Sequence, residues 1–518
     1  MFHWNLLNFL LPLLLLAGFA DASVVGIMAT DEEELGNIVS FLEGTVKRYT
    51  HGMRTFYRGQ LWGVETVIVL SNVGKAAAAA AAVNLISEKV DCIVFLGTAG
   101  ALDKRLNIGD VVIAENLIEF DVDFRPFTAL YSFPDGKKEY YTDSNLRENS
   151  RDAVSEFLEK EIFSKIDEKF RQEMLIEAPK VITAAVGTAD HFLISEDEIY
   201  NFTAFAPDIV CIDMESAAVA QVANNYGIPL AVIRTVSNYI DTPADQNFRV
   251  AMNYNTFLQK VQAIYSTNIL QRLFDKIQIV EKKIIDLKIH EKDLIAGIIC
   301  TTEKELQSLS RFFEQPSKIT TRGGRDFYQG RIGNYEVVIA ASGFGKSAAS
   351  AMAEELILHE KVKLLLVVGN AFSVDENVNV GDIVISKSLI EYDVDVRPFR
   401  PLFQLPTIGV TDLPAHAKAI QIAYDVSTKN GVHIGQVASG DKMLNQKDFL
   451  LLKQNLPNAL CIDSEAAPIA QIAYQSGIPF MSIKWISNAD LLDAELDSNL
   501  LQILQNLFDR LEEKDLDK

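Results

Sequence analysis

Basic residues are in short supply in this chain. Its 48 Lys and Arg face 70 Asp and Glu, a formal net charge of −22. A surface of that sign repels nucleic-acid phosphates and anionic membranes, which need a basic footprint. Cysteine is scarce as well. Cys92, Cys211, Cys300 and Cys461 each lie in an apolar, strand-like run, and none joins a histidine at a metal-ligand spacing. They read as small core residues rather than disulfide partners, and neither a metal nor a cofactor is expected. A convincing membrane span is wanting too. Leu6–Ala20 is apolar but short, and Pro12 interrupts it. Followed by Ala20-Asp21-Ala22, it fits a secretory signal removed before Ser23, although no Lys or Arg precedes it. Residues 1–22 are therefore expected to be a signal peptide, and the protein to be secreted or periplasmic. An uncleaved membrane anchor is the other reading.

What is present is repetition. At 518 residues, 48% hydrophobic and 23% charged, the chain is long enough for two globular domains with a core each. VVGIMATDEEEL (Val24–Leu35) returns as IAGIICTTEKEL (Ile295–Leu306), and SNVGKAAAA (Ser71–Ala79) as SGFGKSAAS (Ser342–Ser350). Phe95–Ile113 returns as Val367–Ile385, and EFDVDFRPF (Glu119–Phe127) as EYDVDVRPF (Glu391–Phe399). The offset between copies shrinks between Phe127 and Asp190, so the first copy carries an insertion there. Its charged stretch around Pro134–Glu173 reads as a surface loop leading into an amphipathic helix. The domains are placed at 23–274 and 294–518, with 275–293, rich in Lys, Glu and Ile, as a helical linker.

Within a copy, strand-like runs (Val24–Met28, Val67–Leu70, Cys92–Leu96, Val111–Ala114, Val181–Ala185, Leu230–Arg234) alternate with helical segments such as Lys75–Ser87 and Glu215–Asn225. The fold class this implies is α/β, a mixed central sheet flanked by helices. The stretch VCIDMESAAVA (Val210–Ala220) places Asp213 and Glu215 where a buried strand turns into a helix. Strand ends are where α/β proteins bind ligands, and carboxylates among apolar residues are costly unless used. A helix cap and a first-turn dipole partner would explain them equally well. The second copy keeps the phrase as CIDSEAAPIA, with Asp463 and Glu465. Each copy then runs into an apolar strand ending in Ser-Asn, at Asn238 and Asn488.

These motifs resemble the purine nucleoside phosphorylase/uridine phosphorylase superfamily, and within it the 5′-methylthioadenosine/S-adenosylhomocysteine nucleosidases. The resemblance implies that Glu34 activates the attacking water. It implies that Thr98 and Gly100 bring backbone close to the ligand, that Phe192 stacks on the base, and that Met214 and Glu215 hold the ribose. Arg234 and Ser237 fall on further binding positions, and Phe248 on a ring that closes over the ligand. In the family's nucleosidases the segment matching Asp121–Phe127 reaches into the neighbouring subunit's pocket. Here that segment is written twice, so the two halves are expected to form an internal pseudo-dimer, Val396 and Phe399 lining the first copy's pocket near Phe248. Further oligomerisation stays open.

Glu34 also fits a solvated first-turn carboxylate, and Phe192 an ordinary core ring. One departure stands out: Asn238 replaces the Asp that donates a proton to the purine. An amide is no general acid, but it can donate to one atom and accept from its neighbour, as superfamily members that take 6-oxopurines use it. The second copy keeps Glu305, Asp441, Glu465, Ser487 and Asn488. It puts Phe372 for Gly100, Ser464 for Met214, Lys484 for Arg234 and Met443 for Phe192, which reads as a degenerate or re-purposed site. The expected activity is hydrolysis of purine nucleosides, with 6-oxopurines preferred. Phosphorolysis on the same fold is the first rival. It is disfavoured by Phe95-Leu96 and Thr30-Asp31-Glu32 standing where phosphate-binding residues would be. The second rival is a nucleoside-binding or storage protein without turnover.

Overall fold

The computed structural model describes residues 23–192, 196–240, 254–277, 295–333, 335–428, 430–487 and 496–516. The apolar N-terminal run, most of the linker, Phe248 and Asn488 lie outside the described residues.

The first half contributes β1 (Val24–Ala29), β2 (Leu42–His51), β3 (Arg54–Leu61), β4 (Val64–Leu70), β5 (Cys92–Ala101), β6 (Val111–Glu119), β7 (Glu139–Tyr141), β8 (Val181–Thr188), β9 (Ile209–Asp213) and β10 (Leu230–Tyr239). Their order is β10-β6-β8-β9-β5-β1-β4-β3-β2, with β7 on β6. β10 also pairs in parallel with β5, from Leu230 opposite Ile93 to Tyr239 opposite Ala101. Strands β5, β10, β6, β8 and β9 therefore close on themselves, and β1, β4, β3 and β2 extend from them as an open flank. β1 and β5 are buried at every position, the pattern of parallel strands covered on both faces.

The second half repeats the plan with β11 (Ile295–Cys300), β12 (Glu314–Arg322), β13 (Arg325–Ile332), β14 (Tyr335–Ala341), β15 (Leu364–Ser373), β16 (Ile383–Glu391), β17 (Leu413–Pro414), β18 (Val432–Ser439), β19 (Ala459–Asp463) and β20 (Phe480–Ile486). β20 bridges β15 and β16 as β10 bridges β5 and β6. The chain is thus two mixed sheets, each flanked by helices.

The insertion runs from a short loop at 134–138 into a helix, as its sequence suggests. After β7, Ser144–Lys160 is one long helix, opened by Asp143, whose side chain accepts from the Leu146 N–H. Leu146, Ala153, Val154, Phe157 and Leu158 face inward at helical spacing. Two short helices, Ile162–Lys165 and Glu168–Glu173, follow.

The helix Lys75–Ser87 is buried from Lys75 through Ile86, as a helix apolar all round must be. It packs against Ser216–Tyr226 of its own half and Lys346–His359 of the other. Ala80 joins the second half's core and Ala351 the first half's. Backbone bonds cross between the halves as well. The Asp123 N–H donates to the Asp441 carbonyl (3.0 Å) and Met443 N–H to that of Asp123 (2.7 Å). In the mirrored place, Asp395 N–H donates to Asp190 O (3.0 Å) and Phe192 N–H to Asp395 O (2.9 Å). Two ammonium groups lie at this crossing. Lys75 Nζ is 3.0 Å from Glu119, 2.7 Å from Asp121 and 2.6 Å from Asp441. Lys346 Nζ contacts Asp190, Glu391 (3.1 Å) and Asp393 (2.6 Å). Glu119, Asp121 and Asp441 are close enough to share a cation, and the Lys75 ammonium takes that place.

Candidate active site

In the first half, the ends of β5, β9 and β10 and the turn after β1 surround a half-open cleft. Thr30 and Glu34 enter it after β1, Thr98, Ala99 and Gly100 from β5, and Ile212, Asp213, Met214 and Glu215 from β9 and the turn beyond. Ser237, Asn238 and Ile240 come from the end of β10, and Val73, His191, Phe192 and Tyr254 complete the wall.

Glu34 sits in the short helix Glu32–Leu35, opened by Asp31, whose side chain accepts from Glu34 N–H at 2.9 Å. It is only 4% exposed, so it is not a solvated surface carboxylate. Its Oε1 accepts from the Thr98 N–H (2.7 Å) and the Thr98 hydroxyl (2.8 Å), and its Oε2 from the Thr30 N–H (3.2 Å). Burial and then Glu34 push the neighbouring Asp31 carboxyl up to about 7. A Cβ at Gly97 would meet Arg234 Nη1 and fall 2.8 Å from Glu34 Oε2, so a side chain there would displace both groups.

Asp213 serves both readings of its sequence. It accepts from the Glu215 and Ser216 N–H groups at 3.2 Å, which caps the helix Ser216–Tyr226. It also accepts from the Thr188 hydroxyl (2.6 Å) and Arg234 Nε (2.7 Å). Glu215 is 6% exposed and its Oε1 accepts from the Gly74 N–H at 2.9 Å. Burial, and then Asp213, raise its carboxyl well above the ordinary range against the pull of Arg234. Arg234 is not a lining residue: it lies beneath the cavity, bonded to Asp213, its guanidinium carbon 4.0 Å from the centre of the Phe95 ring.

Asn238 is 2% exposed. The Ser237 hydroxyl donates to its Oδ1 at 2.8 Å, while its Nδ2 has only a 3.4 Å contact to the Tyr239 carbonyl. A Cβ at Gly100 would strike Ile240 and lie 3.2 Å from Asn238 Nδ2, so the missing side chain leaves the amide accessible. The Phe192 ring meets Phe399 edge-on at 4.9 Å and Tyr254 at 5.6 Å, and Tyr254 and Phe399 stand 5.8 Å apart. Phe399 thus arrives from the second half, though as a brace behind two lining rings and not as a lining residue. Val396 is buried and lines nothing here. Tyr254 and His191 are lining residues that the sequence reading missed. Tyr254 lies close to Phe248 in sequence, and His191 directly precedes Phe192; both signals were available.

A model described as the phosphorylase superfamily matches residues 24–272 and again 295–512. The chain belongs to the phosphorylase superfamily. A 5′-methylthioadenosine/S-adenosylhomocysteine nucleosidase of Glaesserella parasuis is 32% identical to it over 203 residues, 38% of this chain and 86% of the relative. One from Haemophilus ducreyi is 33% identical over 197 residues, 37% and 84% respectively. The crystal structure of the Neisseria meningitidis nucleosidase with methylthio-immucillin-A is 26% identical, with a TM-score of 0.42. It covers 49% of this chain and 100% of its own.

The second superfamily domain has its own half-open cleft. Glu305 accepts there from the N–H groups of Thr301 (2.8 Å), Thr302 (3.0 Å) and Asn370 (2.9 Å). Lys484 binds Asp463 at 2.6 Å, as Arg234 binds Asp213. Ser464 donates to Glu465. Phe372 is in the lining, where the first half has Gly100. Phe124, from the first half, is in the lining too.

Proposed function

We propose that the first-half cavity hydrolyses the N-glycosidic bond of a purine nucleoside, with water as nucleophile, releasing the base and the ribose moiety. In this reading the chain is a nucleosidase of the phosphorylase superfamily. The observation that carries it is Glu34, a buried carboxylate fixed by Thr30 and Thr98 on the wall of a cavity that Glu215 and Asn238 share. Cleavage passes through an oxocarbenium-like sugar, which nearby negative charge stabilises. Glu34 orients and deprotonates the water, and Glu215 holds the ribose hydroxyls. Phe192, braced by Phe399, offers a face to the base. Among the described lining residues there is neither Arg nor Lys, which favours water over phosphate, an anion that arginines bind best.

At the base, Ser237 occupies Asn238 Oδ1, and Nδ2, held only by the long contact to the Tyr239 carbonyl, is the donor available to a ligand. An amide placed so can donate to a 6-oxo group, whereas a 6-aminopurine gains no proton from it. The preferred bases are therefore 6-oxopurines. The same missing acid favours a second reading, nucleoside binding without turnover. The second half takes the place that a partner subunit holds in the relatives implied by the resemblance, and the run Leu6–Ala20 supports export. Base release from inosine, guanosine, adenosine and methylthioadenosine, with and without phosphate, tests the reading. Inosine or guanosine should be fastest and phosphate without effect. Methylthioadenosine cleaved far faster than inosine would refute the base preference, and no release from any of the four would favour binding alone.

A further inference from the structure

The second-half cavity has no part in the proposed hydrolysis, yet it is not filled. It is a half-open cleft, as the first is. Its walls are aromatic: Phe124 meets Phe344 edge-on at 6.0 Å, and Phe372 and Met443 line the same space. Flat heterocycles stack on such faces. Besides Thr301, Glu305, Lys442 and Asp463, two polar points in the lining bear on a ligand. One is the buried pair Ser464 and Glu465, suited to sugar hydroxyls. The other is Asn370, whose Oδ1 and Nδ2 are both buried without a protein partner. Its counterpart Thr98 has its hydroxyl on Glu34, so the substitution frees a donor and an acceptor. A buried amide left unpaired is unfavourable unless a ligand completes it.

We propose that this cavity is a second nucleoside site, which binds the intact nucleoside and does not cleave it. Phe372 stands where Gly100 keeps the base-facing amide of the first site open, and the Ser464 hydroxyl engages the carboxylate whose counterpart, Glu215, has no such neighbour. The site is also built from both halves. Phe124 is contributed by the segment whose Asp121 holds Lys75, and the residue before Lys75 donates its N–H to Glu215. A ligand in the second cavity therefore touches the chain of contacts that ends on the first site's ribose carboxylate. The inference does not depend on turnover in the first half.

The test is calorimetric titration of the full chain with 9-deazainosine, whose carbon–carbon glycosidic bond cannot be hydrolysed. Wild type should bind two equivalents, and Glu215→Ala should keep one. Asn370→Ala and Glu465→Ala should each weaken the other by at least about tenfold, roughly 1.4 kcal/mol, with melting temperature preserved. Phe124→Ala should weaken that same site although it lies in the first half. One equivalent in wild type, lost in Glu215→Ala, would overturn the second site and leave the proposed hydrolysis standing. One equivalent that survives Glu215→Ala and fails in Asn370→Ala would support it and overturn the first-half reading. Two equivalents indifferent to Asn370→Ala, Glu465→Ala and Phe124→Ala, or none at all, would also refute it.

Discussion

Asn238 is oriented by the Ser237 hydroxyl on its Oδ1 and flanked by the space Gly100 leaves open. Replacing the amide by an acid should supply the missing proton donor. Asn238→Asp is expected to move the adenosine-to-inosine ratio of kcat/KM towards adenosine by about 10²–10⁴-fold, the range of general acid catalysis. An unchanged ratio in steady-state assays of the two nucleosides would contradict the role. The identity of this residue was legible in the sequence, as were Glu34, Phe192 and Glu215, because each lies within a repeated motif. The direction of Arg234 was not. On a regular strand its side chain would share a face with that of Asn238, since alternate residues point the same way. The pairing of β10 with β5 slips between Val236 and Asn238, and such a bulge re-aims the side chains beyond it. Arg234 is left below the cavity, and Ser237 and Asn238 both reach it.

The segment Asp393–Phe399 is an element of one half that serves the other. Phe399→Ala should remove the brace on Phe192 and Tyr254, raising KM at the first site by about tenfold, near the upper end of the value of an aromatic pair. kcat should stay near wild type. An unchanged KM would show the brace to be dispensable. The helix Lys75–Ser87 makes a related claim. Ala80 is packed into the second half's core, and Ala80→Leu should lower stability by about 1–3 kcal/mol through overpacking, read by denaturant titration. Its helical character was plain in the alanine run, but not its partner, since a helix buried on all sides carries no amphipathic stripe. The hairpin of β2 and β3 was missed for the opposite reason. β2 is largely exposed and polar, so it shows no alternation. Within the insertion the helix was legible, and β7, only three residues long, was not.

At the scale of the whole molecule, two ammonium groups hold the halves together amid an excess of carboxylates. Burial works against the charged form of Lys75, yet the carboxylates around it, Asp121 foremost, keep its pKa well above the ordinary value. Lys75→Met leaves those carboxylates uncompensated and should destabilise the chain by about 3–5 kcal/mol. The carboxylates retain protons in turn. Burial is the main cause that pushes Asp441 up to about 8 from 3.8 and Glu391 up to about 7 from 4.5. For both groups the folded value lies above the unfolded one. Their contribution to stability is therefore fully present below pH 4 and is lost as pH rises through about 7 and 8. Wild type should lose stability relative to Asp441→Asn between pH 5 and 8.5, by chemical denaturation at each pH; a constant difference would contradict this. The duplication could be read from the sequence, and so could the idea that the halves meet, but the lysine–carboxylate crossing could not, because it joins residues far apart in the chain. The most direct test of the central claim is single-turnover base release and equilibrium binding measured together for Glu34→Gln in phosphate-free buffer. Wild type should release base and free sugar without phosphate, and Glu34→Gln should lose about 10²–10⁴-fold in rate while binding 9-deazainosine as wild type does. Release by Glu34→Gln near the wild-type rate, or wild-type release that requires phosphate, would contradict hydrolysis at this site.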